Sequence, residues 1–153
     1  MSDSKQQLGA ALAPSLKAAG YRKRALTWHR EWKDTISVFN VQKSQWGDQF
    51  YINCAIYLKA LGDEKTPPEY RCPVRIRIGD LVPQRERLNS LLDFEKEIKE
   101  EARLQEIVTM VNSFALPWLE KYADVEELRS LVCSDKASQM AIYGSIREYF
   151  TRK

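Results

Sequence analysis

Phe50, Ile52, Cys54, Ile56 and Leu58 stand at alternate positions of one uninterrupted stretch, with Tyr51, Asn53, Ala55 and Tyr57 between them. A repeat of two is the repeat of a β-strand, whose successive side chains leave opposite sides of a sheet. The pattern returns at Val74, Ile76 and Ile78, interleaved with Arg75 and Arg77. After Pro83 the period changes. Leu88, Leu91, Leu92, Phe94, Ile98, Ala102, Val108, Val111, Ala115 and Trp118 recur at three- and four-residue steps, the spacing of one helix face. Strands grouped first and helices grouped afterwards predict an α+β fold.

Four strands are expected, at 24–32, 35–45, 49–61 and 70–79. Lys33-Asp34 and Gly47-Asp48 are short turn-forming connections, which favour antiparallel hairpins. The third connection, from Gly62 to Glu69, is polar and stiffened by Pro67 and Pro68. Ahead of the strands, Ser4 and Gln7 have capping-box spacing before Leu8, Leu12, Leu16 and Ala19, with Gly20 as a stop and a kink expected at Pro14. Pro117 should bend the later helical run. Two more helices are expected at 125–133 and 136–152, the last capped by Asp135. The expected architecture is a single domain over residues 1–153: a mostly antiparallel sheet of about four strands, with N-terminal and C-terminal helices packed on one face.

Composition excludes several classes. Apolar residues are 44% and charged residues 29% of the 153, a globular balance. No apolar run is long enough for a bilayer, and Met1-Ser2-Asp3-Ser4 lacks a secretory profile. Cys54, Cys72 and Cys133 are odd in number and too far apart for a CxxC pair, so reduced thiols in the cytoplasm are expected. His29 is the single histidine, and neither a Cys cluster nor a glycine-rich phosphate loop accompanies it, so no metal, cofactor or catalytic residue is expected. Glu95, Glu97, Glu100, Glu101 and Glu106 interleave with Lys96, Lys99 and Arg103, which reads as a solvated helix face with local ion pairs. Asp34 with Gln42-Lys43 fails as a nuclease motif, because Gln42 and Lys43 are adjacent and leave opposite faces of a strand.

With the aliphatic face of each strand given to the helices, the other face shows polar and aromatic groups. Trp28, Arg30 and Trp32 share a phase, as do Asn40, Gln42 and Ser44, then Tyr51, Asn53 and Tyr57, then Arg75 and Arg77. Ile36 and Val38 disturb the second set, which points to a bulge or partial cover. Aromatic and arginine side chains combine apolar area with directed donors, as interface anchors do. Residues 1–90 carry a net +6 and residues 91–153 a net −3, so an acidic partner suits the first part unless the two parts attract each other within the fold.

Several segments resemble domain-of-unknown-function family 4304: the stretch from Gly20 to Glu31, Val41-Gln42-Lys43-Ser44, Phe50-Tyr51-Ile52-Asn53, and Cys72 with the basic strand ending Arg77-Ile78-Gly79. The resemblance runs from the first helix to Pro117-Trp118-Leu119. It implies a small bacterial α+β domain without an assigned reaction. Its motif residues Arg30, Gln42, Ser44, Asn53 and Arg77 coincide with the face read from alternation. Domains of this kind often serve as interaction partners, immunity proteins that block a toxin among them. The leading expectation is a non-enzymatic cytoplasmic protein-binding module, immunity-like, that uses Arg30, Gln42, Ser44, Tyr51, Asn53, Tyr57, Arg75 and Arg77 on an acidic protein. A nucleic-acid or nucleotide binder and an enzyme of unrecognised type remain the alternatives, and no membrane contact is expected.

Overall fold

The computed structural model describes residues 3–134 and 140–152. Six strands form one sheet in the order β1 (Arg22–Arg24), β2 (Thr27–Glu31), β3 (Thr35–Lys43), β4 (Phe50–Leu58), β5 (Val74–Arg77) and β6 (Ala141–Ile142). Each pairs antiparallel with its neighbour in sequence, so the sheet is a meander. At its centre β3 pairs with β4 along its whole length, from Thr35 opposite Leu58 to Lys43 opposite Phe50.

The α+β class and the antiparallel sheet match the expectation; the count of about four strands does not. The stretch expected as one strand at 24–32 is two, because Ala25 takes a left-handed conformation (φ 56°) and turns the chain between Arg24 and its partner Thr27. A two-residue hairpin turn needs such a residue, and here alanine supplies it where glycine or asparagine would have signalled it. The added strand β6 lies inside the stretch expected as a helix at 136–152. Its helix, α6 (Gly144–Thr151), starts later, and the expected cap Asp135 lies outside the described residues.

α1 (Ser4–Ala18) buries Leu8, Leu12 and Leu16 and runs on through Pro14. Its cap is Asp3, whose Oδ1 accepts from the Gln6 N–H at 2.7 Å, while the Ser4 hydroxyl reaches across to Asp48. The helix ends where the Gly20 N–H bonds Lys17 O (3.0 Å) and the Tyr21 N–H bonds Leu16 O (2.9 Å). That closure requires the left-handed Gly20 (φ 92°).

Later helices are α2 (Arg85–Leu91), α3 (Glu100–Met110), α4 (Leu116–Tyr122) and α5 (Val125–Val132). The helical period read through 88–118 is interrupted at 92–99. There the Phe50 N–H bonds Leu92 O (3.0 Å) and the Phe94 N–H bonds Asp48 O (2.8 Å), so this segment extends the start of β4. Arg103 is not on the solvated face expected for it. It is buried, and its guanidinium donates to the carbonyls of Leu91, Asp93 (2.9 Å) and Lys96 (2.6 Å). Val111–Ala115 form a π turn between α3 and α4, a wider turn that absorbs the N–H missing at Pro117.

The main core joins the helices to Trp28, Phe39, Val41, Phe50, Ile52, Cys54, Ile56, Leu58, Val74 and Ile76. Helices from both ends of the chain thus cover one face of the sheet. The opposite face holds a smaller cluster of Ile36, Val38, Ala55, Tyr57 and Cys72. Segment 59–73 folds back over it, which accounts for the two aliphatic residues that disturb the polar phase of β3. No described helix is long and apolar enough to cross a membrane.

Candidate functional site

Residues paired across an antiparallel ladder share a face, so register alone assembles the surface opposite the helices. One row runs Thr27, Asn40, Asn53, Arg77 across β2 to β5; the next pairs Gln42 with Tyr51. Side chains connect these rows. Asn53 Nδ2 donates to Asn40 Oδ1 (3.0 Å) and Gln42 Oε1 (3.1 Å), and Asn40 Nδ2 donates to Thr27 Oγ1 (3.0 Å). Both Asn53 amide protons are therefore used, which is how a polar group only 4% exposed avoids a burial penalty. Beside this ladder the Arg77 guanidinium lies 4.0 Å over the Tyr51 ring. Such stacking holds the charge in place without neutralising it.

The ladder ends at the β3–β4 hairpin, where Trp46 is 88% exposed. Ser44 shapes that tip: it is buried, and its Oγ accepts from the Trp46 N–H at 3.1 Å. A small cavity of about 220 Å³ opens beside the ladder between Gln42, Asn53, Arg75, Arg77 and Asp80. Asp80 is paired with Arg85.

The structure brings Gln42, Tyr51, Asn53 and Arg77 together, with Arg75 on the same face and Ser44 at the hairpin tip, and places Tyr57 and Arg30 elsewhere. Tyr57 is buried under segment 59–73, where its hydroxyl accepts from the Glu64 N–H at 3.2 Å. Arg75 shares the face but is engaged internally, by Glu69 at 2.9 Å and the Tyr143 hydroxyl at 3.3 Å. Arg30 stands on the helix-covered face with Ser37, donates to Ala19 O (2.7 Å) and lies 3.8 Å over the Trp32 ring. Trp28 shares that side and packs edge-on against Phe39 in the main core. The expected phase of this strand was therefore inverted: His29, not Trp28, is on the open side. Trp46 was missed, although a lone tryptophan inside a polar turn is itself a signal.

Among the described residues no group of three or more His, Cys, Asp or Glu is placed to hold a metal ion. Burial pushes the Cys54 and Cys72 thiols far above their ordinary pKa, and Glu69 adds to the effect at both. Thiolate is the nucleophilic form, so these two cysteines are poor nucleophiles, whereas Cys133 is exposed. An aromatic disulfide reagent is expected to titrate one thiol in the native protein and all three after unfolding. A second fast native thiol would contradict this burial.

A family model for a domain of unknown function (DUF4304) matches residues 12–121, the span that holds β1 to β5 and both polar rows. No curated protein and no solved structure matches the chain.

Proposed function

The chain belongs to the DUF4304 family, a domain of unknown function, and from that premise we propose a non-enzymatic protein-binding module that uses the uncovered half of its polar sheet face. The observation that carries this reading is Trp46, 88% exposed at the tip of the β3–β4 hairpin, whose polar face also carries Tyr51 stacked under Arg77. An exposed tryptophan on the same hairpin as an arginine-stacked tyrosine gives the composition of an interface anchor, since each offers large apolar area with a directed donor. Arg77 is held by its stack on Tyr51, so little ordering of that pair is left to pay on binding. Arg77 and Lys43 form no ion pair among the described residues, which favours an acidic surface on the partner. The role is immunity-like in the sense that the module acts by covering that surface.

Affinity capture from native lysate, with and without nuclease, tests this reading. The same retained protein is expected in both arms, and Trp46→Ala or Arg77→Glu should each weaken its retention about tenfold or more. Thermal stability should stay within about 0.5 kcal/mol of the parent, because both side chains lie outside the core. Arg75→Glu should instead lower stability, by setting a second carboxylate against Glu69. Unchanged capture by the folded Trp46 and Arg77 variants would sink the proposal, as would loss of all capture after nuclease.

A further inference from the structure

A second concentration of charge lies at the β1 edge of the sheet, away from the hairpin tip. β1 reads Arg22-Lys23-Arg24, and all three residues are exposed. Arg22 pairs with His29 and Arg24 with Thr27, so both arginines stand on the side of the sheet that carries His29. Segment 59–73 folds over the same side and delivers Lys65 and Thr66 to them. Arg24 Nη1 donates to Thr66 Oγ1 at 2.9 Å, and His29 Nε2 donates to Pro67 O at 2.7 Å. Arg30 reaches the same place from the strand edge, alongside Gly20, where a Cβ would sit 3.3 Å from Arg30 Nε. Arg22, Arg24, His29, Arg30, Lys65 and Thr66 line a cavity of about 470 Å³.

The charge balance inside this cavity is one-sided. Its lining holds four permanent cations, Arg22, Arg24, Arg30 and Lys65, and one carboxylate, Glu31. That carboxylate is already bound by Lys59 at 2.7 Å, which holds it below the usual carboxylate range. Among the described residues the four cations form no ion pair. Arginines two apart on one strand face are about 7 Å from each other and repel. Here the hydrogen bonds to Ala19 and Thr66 hold Arg30 and Arg24 in position while leaving their charge unspent.

We propose that this cavity binds a small polyanion of the pyrophosphate class. Guanidinium forks match phosphate oxygens, and cations spread around a cavity of this size suit two linked phosphate groups better than one. The lining includes no Phe, Tyr or Trp, so a base has no ring to stack on; recognition rests on the phosphates. The site is separate from the partner surface and stands or falls independently of it.

Calorimetric titration of the full chain with inorganic pyrophosphate, in about 150 mM salt to screen diffuse attraction, tests the site. Saturable binding is expected, with amide shifts confined to 20–31 and 64–67. Arg22→Ser with Arg24→Ser should weaken it at least tenfold. Lys5→Gln with Lys17→Gln removes the same net charge elsewhere and should leave it within twofold. Lys65→Glu, on the covering segment, should also cost at least tenfold, and decides the matter if the strand variant misfolds. A nucleoside diphosphate is titrated in parallel: equal affinity supports the free anion as ligand, and affinity more than tenfold tighter supports the diphosphate of a nucleotide. No binding of either probe, or equal losses in the site variants and the Lys5/Lys17 control, overturns the proposal.

Discussion

Arg103→Leu is expected to lower the stability of the fold by about 3–5 kcal/mol, read as a fall in the denaturant midpoint at constant slope. The side chain is 2% exposed, yet none of its partners is a carboxylate. Its Nη1 donates to Leu91 O and Asp93 O (2.9 Å), its Nη2 to Lys96 O (2.6 Å), and the plane lies 4.5 Å from the Phe94 ring centroid. Those carbonyls belong to the segment that leaves α2, crosses to the start of β4 and returns to α3. Leucine would fill much of the volume but leave them without donors. Each buried carbonyl so orphaned costs about 1–3 kcal/mol, reduced where water can reach it. Burial pushes the Arg103 pKa down, but a guanidinium ionises so far above neutrality that its charge persists. Arg103→Lys should recover less than half of the loss, because one ammonium cannot span carbonyls arranged around a planar fork. Full recovery by lysine would show that charge, and not the fork, holds the segment.

Gly62→Ala is expected to cost about 2–3 kcal/mol through a single contact, at the upper end for an overpacked site. A Cβ at this position would lie 2.2 Å from the Tyr57 hydroxyl oxygen, and Tyr57 is buried and cannot swing away. Segment 59–73 must then lift. In a Tyr57→Phe background the hydroxyl is gone and the next ring atom is 3.3 Å away, so the same Gly62→Ala change should cost under about 1 kcal/mol. Tyr57→Phe alone removes the acceptor for the Glu64 N–H and should be mildly destabilising. The lifted segment also uncovers Cys72, so the single variant should show a second reactive thiol, and the double variant should lose it again. Additive costs in the two backgrounds would mean that the segment does not rest on Tyr57.

The long central strands were legible in the sequence because each buries both faces differently. At 50–58 an aliphatic row meets the helices, while on the other face half-buried Tyr51 lies under Arg77 and Asn53 bonds Asn40 and Gln42. The same period of two correctly grouped Gln42, Tyr51, Asn53 and Arg77. It failed where an element was too short to show a period: β6 has two residues, and Ala25 turns the chain without a turn residue's signature. The break between α2 and α3 was masked because Leu92, Phe94 and Ile98 keep helical spacing while serving as a loop. Arg103 was misread for a related reason. Glutamates and lysines around it look solvated, and nothing local says that its fork turns inward onto carbonyls contributed by a preceding segment. Arg30 was assigned to the wrong side because tryptophans were credited to the binding face, when Trp28 pairs with Phe39 inside the core.

The two rims of the meander are both brief. β1 offers three residues, each carrying a cation, and β6 offers two. A free strand edge is a template on which further chains can extend a ladder, and length and neutrality are what make the template effective. Two copies approaching β1 to β1 would bring like charges together before more than a few backbone bonds could form. At β6 the ladder would stop almost as soon as it began. Fibril-like growth is therefore disfavoured at both ends of the sheet, and association through this fold is left to side-chain chemistry on its faces.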